Sequence, residues 1–127
     1  MAAAYQPERG HFVHLDFTPH AGTEQAGRRP ALVISLQTYN IATGLMLACP
    51  ITNQLKRSPF EVQIPPGAKI SGAVLANQMR SLDWLARNTA FHSGNGFHPN
   101  VFHRKGGKLI MGRQESCYHV FVFLAQN

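Results

Sequence analysis

Residues 12–34 read FVHLDFTPHAGTEQAGRRPALVI, and their patterning decides the fold class. Val13, Leu15 and Phe17 alternate with His14 and Asp16, the period-two rhythm of a strand with one buried face. Thr18 and Pro19 end it. From His20 to Arg29 hydrophobic periodicity disappears and Gly22 and Gly27 punctuate the chain; then Ala31–Ile34 resumes as a short apolar run of the kind found in buried strands. The stretch therefore predicts strand, long loop, strand.

Working outward, Gln37–Gly44 (QTYNIATG) predicts a short helical turn or loop closed by Gly44, and Leu45–Thr52 (LMLACPIT) is strand-like up to Pro50. Phe60, Val62 and Ile64 alternate with Glu61 and Gln63 until Pro65-Pro66-Gly67 stops them, and a fifth strand begins at Ala73 after Gly72. Five short strands with turn signals between them, and no long amphipathic helix before residue 80, predict a mainly β (α+β) domain: a small twisted barrel or compact antiparallel sheet. Beyond Gly94, GNGFHPNVFHRKGGK reads as loop and Tyr118–Leu124 (YHVFVFL) as a final apolar strand.

With 127 residues, 44% of them hydrophobic and 14% charged, the chain is long enough for one core and too apolar for a disordered segment. The net charge of +6 favours polyanionic partners, although half of that excess comes from residues 92–127, and a merely soluble basic surface explains it equally well. Cys49 and Cys117 form no CxxC pattern, and no His spacing suggests zinc, so neither a metal nor a cofactor is expected. The N-terminus lacks the layout of a signal peptide, and no apolar run reaches bilayer-spanning length; a cytoplasmic protein with no membrane partner is expected.

Loops held by a rigid sheet commonly carry function. In GTEQAGRRP (22–30) the candidate pair is Glu24 and Arg29, although a carboxylate and a guanidinium five positions apart are most often an ordinary exposed ion pair. Thr52, taken alone, reads as a strand-end hydroxyl satisfied by local backbone. Arg28, Lys56, Arg57, Arg80 and Arg87 are candidates for an electrostatic track along a polyanion, the competing reading being scattered solvated charges. Tyr39, Asn77 and Gln78 offer stacking and base-edge hydrogen bonds, the means by which single-stranded RNA is recognised. Seven histidines raise a two-histidine acid–base reading. His11 and His14, three apart on one strand, face opposite sides and do not converge, so surface and half-buried histidines are the better account.

From Gly10 through Asp83-Trp84 the sequence resembles the MazF family (also called PemK or Kid) of toxin endoribonucleases from bacterial toxin–antitoxin systems. The resemblance rests on Gly10, Leu15-Asp16-Phe17, Pro19, Gly22–Gly27, Arg29-Pro30, Tyr39-Asn40, Gly44, Pro50-Ile51-Thr52, Pro59–Val62, Gly72, Asn77-Gln78 and Ser81–Arg87, all in family order. It covers about two-thirds of the chain and depends on no single motif.

That resemblance implies an SH3-like β-barrel of the CcdB/PemK-like type with short helices, spanning residues 1–93, and an atypical C-terminal segment, 94–127. The family's usual last helix needs an i, i+3, i+4 apolar rhythm that this segment lacks. It further implies a homodimer, sequence-specific cleavage of single-stranded RNA without a metal, and an acidic, partly disordered antitoxin, with DNA contacted only through the antitoxin complex. Glu24 and Arg29 become the catalytic acid and base, with Thr52 beside the reacting phosphate. Thr23, Gln25, Arg28, Tyr39, Asn53, Lys56, Arg57, Asn77, Gln78, Arg80 and Arg87 become the RNA contacts. Attack by the substrate's 2′-hydroxyl would leave a 2′,3′-cyclic phosphate and a 5′-hydroxyl. Glu24, as a free glutamate, titrates at about 4.3, and a neighbouring arginine lowers it further; it becomes an effective base only when bound phosphate and desolvation raise it. Two other readings stand beside this one: a non-catalytic toxin that binds DNA gyrase on the same barrel, and a plain RNA-binding module.

Overall fold

The computed structural model describes residues 5–18, 27–56, 58–64 and 68–94 with their side chains, and the backbone of 101–105 and 108–112. The alternation in FVHLD produces β1 (Phe12–Asp16), which pairs antiparallel with β2 (Arg28–Val33) from Phe12↔Leu32 to Asp16↔Arg28. The long loop of the sequence is rooted where Phe17 N–H donates to the Gly27 carbonyl (2.9 Å) and Gly27 N–H donates to Thr18 Oγ1 (3.2 Å).

After β2 comes one short helix, α1 (Gln37–Thr43). It stops as the sequence predicts, because Gly44 adopts a left-handed conformation (φ 72°) and returns its N–H to the Asn40 carbonyl. Asn40 is fully buried. Its amide donates to the Pro7 and Ser35 carbonyls and accepts from the Ser35 hydroxyl, while its carbonyl also accepts from Trp84 Nε1 at 2.8 Å. A buried amide satisfied on every side fixes α1 against the sheet.

The spine of the molecule is β3 (Leu45–Thr52), which runs through Pro50 instead of ending there. Register explains the difference. Leu47 turns its backbone towards β2, accepting from Ile34 N–H, so by alternation Pro50 turns its nitrogen to the other edge. On that edge pairing with β6 (Arg80–Asp83) ends at Ala48, and pairing with β5 (Ala73–Leu75) begins at Ile51. The missing N–H of Pro50 falls in the gap between two partners, where a strand tolerates proline.

β5 pairs in turn with β4 (Glu61–Gln63), a 3-10 turn (Ala76–Gln78) leads from β5 into β6, and β7 (Ala90–Ser93) pairs with β1. The result is one seven-stranded antiparallel sheet ordered β4-β5-β3-β2-β1-β7, with β6 alongside β3. Both faces are apolar: Phe12, Leu32, Cys49, Ile51, Val62 and Val74 belong to one cluster, and Val13, Leu15, Phe17, Val33, Met46 and Leu82 to the other. The mainly β expectation holds, with one α-helix among the described residues. Closure does not: among the described residues β4 and β7 end the sheet and do not pair with each other.

The loop expected after Gly94 is corrected in part. β8 (Val101–Lys105) and β9 (Lys108–Gly112) pair as a hairpin from Val101↔Gly112 to Lys105↔Lys108. In the sequence a Gly-Gly pair stands between the paired lysines, a dipeptide that favours two-residue hairpin connections. The expected strand Tyr118–Leu124 and Cys117 lie outside the described residues. No helix among the described residues is long and apolar enough to cross a membrane.

Candidate active site

Topology sends several of the predicted residues to one end of the sheet. The loop 18–27 joins β1 to β2 there, and Arg29 is the second residue of β2, half-buried opposite Leu15. Pairing between β2 and β3 stops at Ala31↔Pro50, two residues short of Arg29 on one strand and of Thr52 on the other. By alternation both lie on the face of Ala31 and Ala48. Pro30 turns its nitrogen towards β3 just past the last pair and has no N–H to give there, which suits the end of the recorded pairing.

Thr52 is buried (6% exposed), and its Oγ1 accepts from Gln54 N–H at 3.0 Å. The local-backbone reading of this hydroxyl is therefore correct as far as it goes. An oxygen that accepts still has its own O–H to donate. Gly72 (φ 117°) makes this corner possible, because a Cβ there would collide with the Thr52 carbonyl and Asn53 Oδ1.

Next to Thr52 opens a polar cleft of ≈ 260 Å³ lined by Thr52, Gln54, Lys56, Ser58, Glu61, Leu75, Asn77 and Gln78. Four of these, Thr52, Lys56, Asn77 and Gln78, are residues the sequence singles out. Glu61 is not, because its alternation with Val62 marks it only as an outward strand residue. Both its carboxylate oxygens accept from Lys56 N–H (3.0 and 3.2 Å), which holds the β3–β4 loop against β4.

The basic residues divide differently from the expected track. Arg28 pairs with Asp16 at 3.3 Å. Arg80 Nη1 donates to the Phe17 carbonyl (3.2 Å), and Arg87 Nη1 donates to the carbonyls of Asp16 (3.0 Å) and Thr18 (3.2 Å). These two guanidiniums fasten the end of β1, where the loop begins. The Asn88 amide, above all, with Arg28 and the charge of Arg87, holds the Asp16 carboxyl below the usual carboxylate range against the opposing effect of desolvation.

Asn53 is exposed, with its Oδ1 accepting from Ser71 Oγ at 3.5 Å. Tyr39 stands on α1, beyond the far end of β2 from Arg29, and is not among the residues lining the cleft. Thr23, Glu24, Gln25 and Arg57 lie outside the described residues. Among the described residues no three His, Cys, Asp or Glu side chains gather as a metal site.

Of the histidines, His11 shares a 2.7 Å hydrogen bond with the Tyr5 hydroxyl, and its other ring nitrogen lies 3.5 Å from Glu8. His14 meets His92 of β7 instead, a pairing the sequence cannot show because the two are 78 positions apart.

Residues 8–94 match the family described as PemK-like, MazF-like toxin of type II toxin-antitoxin system. Over 87 residues the chain is 45% identical to the endoribonuclease toxin MazF of Escherichia coli K12, an overlap covering 68% of this chain and 78% of that protein. Among solved structures, MazF from Deinococcus radiodurans is similar at 55% identity with a TM-score of 0.66, over 69% of this chain and 80% of the other. The MazE-MazF complex from the same organism is similar at 53% identity with a TM-score of 0.63, over 72% and 82%.

Proposed function

The chain belongs to the PemK-like, MazF-like family of type II toxins, and from that premise we propose that it is an endoribonuclease toxin that cuts single-stranded RNA at a short sequence without a metal. What supports this reading most directly is the common end of β1, β2 and β3: the segment that includes Glu24 leaves β1 and enters β2 there, Arg29 stands near the start of β2, and Thr52 at the end of β3 lines the polar cleft.

The chemistry assigns each group a task. Glu24 takes the proton of the attacking 2′-hydroxyl once the bound phosphate has raised its pKa. Arg29 gives charge-assisted hydrogen bonds to the phosphorane oxygens through its planar fork and delivers a proton towards the leaving 5′-oxygen. Thr52 donates its O–H to the same phosphorane. The products are a 2′,3′-cyclic phosphate and a 5′-hydroxyl. Asn77, Gln78 and Lys56 in the cleft, with Thr23, Gln25, Asn53, Arg57 and Tyr39, read and hold the flanking nucleotides. Arg28, Arg80 and Arg87 add positive potential along the strand.

We also assign the chain a homodimeric assembly, a cytoplasmic site of action and neutralisation by an acidic, partly disordered antitoxin. The MazF of D. radiodurans is similar in fold and forms a complex with MazE. Because β6 and β5 share one edge of β3, the sheet must bend sharply there, and we read the bend as the corner of a partly open SH3-like barrel.

The test is purified protein with a long single-stranded RNA in EDTA, followed by analysis of the ends. Cleavage at one short motif, leaving cyclic phosphate and lost in Arg29→Ala, is expected. Intact RNA, with or without retained binding, refutes the nuclease.

A further inference from the structure

We propose that His14, His92 and Arg28 form a subsite for a phosphate group of a nucleic-acid strand, switched on by acid. The site lies towards the Asp16 end of β1, on the face that His14 shares with Asp16 and opposite that of Val13 and Leu15. The rings of His14 and His92 stand 5.0 Å apart, centroid to centroid, inclined at 54°. β1 pairs here with both neighbours, His14↔Pro30 on β2 and His14↔Ala90 on β7, so three strands fix the positions of these side chains. His92 Nδ1 is tied to Ser93 Oγ at 2.9 Å, which orients the ring.

Charge makes the cluster a switch. From β7 His14 faces His92; on β2 Arg28 stands two residues before Pro30, the partner of His14, and so on the same face; and further along β1 stands Asp16, which accepts from Arg28 and from Asn88 Nδ2 (3.0 Å) and feels the charge of Arg87. With both imidazoles neutral, Arg28 and Asp16 cancel. With both protonated the same four groups carry +2, and Arg87 adds a constant +1 from the adjoining turn.

Partial burial, followed by the charges of His92 and Arg28, pushes the His14 imidazole below its ordinary value. Repelling cations at one spot are what an anion relieves: a phosphate seated among them accepts hydrogen bonds from two imidazolium rings and a guanidinium that come from three different strands. A planar carboxylate offers only two oxygens to three such donors. By linkage, an anion that favours protonated imidazole takes up protons on binding and binds more tightly as the pH falls.

The phosphate half of this inference stands on the cluster itself, and only the identity of the strand rests on the endoribonuclease reading. The experiment follows the ring C–H resonances of both histidines by NMR titration, first with inorganic phosphate and then with a mixed-sequence RNA oligonucleotide and the Glu24→Gln variant, in which cleavage is expected to be lost. Both ligands are expected to raise both midpoints, and binding of each is expected to tighten by up to about tenfold per pH unit where one proton is taken up. In His92→Gln, an exposed substitution that leaves the core intact, that pH dependence should weaken. Unmoved midpoints with both ligands overturn the site. Shifts with phosphate but none with RNA overturn the nucleic-acid assignment, as does the same pH-dependent binding of a polyglutamate peptide in place of RNA. If wild-type protein cuts no RNA yet phosphate still moves both rings, the nuclease reading fails and the phosphate site stands.

Discussion

Thr52 has two partners to serve with one hydroxyl: the Gln54 N–H that it accepts, and the phosphorane to which its O–H donates in the proposed reaction. Thr52→Ser keeps both capacities, whereas Thr52→Val keeps the shape and loses both. If the hydroxyl only closed the local turn, valine would lower stability and leave kcat nearly unchanged in the folded fraction. If it also touches the phosphorane, kcat falls by about 100-fold or more in Thr52→Val, as when one oxyanion donor is removed, and recovers most of the way in Thr52→Ser. Single-turnover cleavage alongside urea denaturation separates the two. The sequence marked this residue and its neighbours Lys56, Asn77 and Gln78. It could not mark Glu61, whose role depends on the β3–β4 loop folding back so that Lys56 N–H meets its carboxylate.

At the scale of elements, the turn between β6 and β7 is fastened to the end of β1 by Arg87, Asn88 and the carboxylate of Asp16. The Asp16 carboxyl is depressed in the folded protein, mainly by Asn88 and then by Arg28, so folding favours its ionised form. Its contribution to stability is therefore complete above the ordinary carboxylate value of about 3.9 and is lost as the pH falls through the lower folded value. Asp16→Asn should lose less stability than wild type between pH 5 and pH 2.5, read as a smaller shift of the urea midpoint; an equal shift would show that Asp16 takes no part in the acid transition. The strands themselves were legible wherever one face is buried: β1 alternates, β2 is an apolar run, and Gly44 stops α1. Pro50 was misleading because tolerance of a proline depends on which neighbour its nitrogen faces, and only the assembled sheet settles that. Arg80 and Arg87 looked like any other exposed cations, since nothing in their spacing reveals that they reach the carbonyls of Asp16, Phe17 and Thr18, about 60 to 70 positions earlier.

For the whole molecule, the division of the basic residues sets how binding should respond to salt. Releasing counterions from single-stranded RNA gives a slope of log K against log salt of about −0.7 for each phosphate neutralised. Six cations on an RNA track, Arg28, Arg29, Lys56, Arg57, Arg80 and Arg87, would give about −4. In the folded protein Arg28 pairs with Asp16, and Arg80 and Arg87 donate to main-chain carbonyls. Those three contribute field without each holding a phosphate; with one phosphate met by each of Arg29, Lys56 and Arg57 in the proposed complex, the slope at pH 8 is about −2. The acid-switched subsite adds to this figure only when its histidines are charged. At pH 6 one further phosphate held by His14, His92 and Arg28 should steepen the slope by about 0.7, and His92→Gln should reduce that increment. Fluorescence titration at both pH values of the Glu24→Gln variant, in which cleavage is expected to be lost, measures both quantities. A slope near −4 at pH 8 would mean that Arg80 and Arg87 leave their carbonyls to meet RNA, and the root of the loop would then have to rearrange on binding.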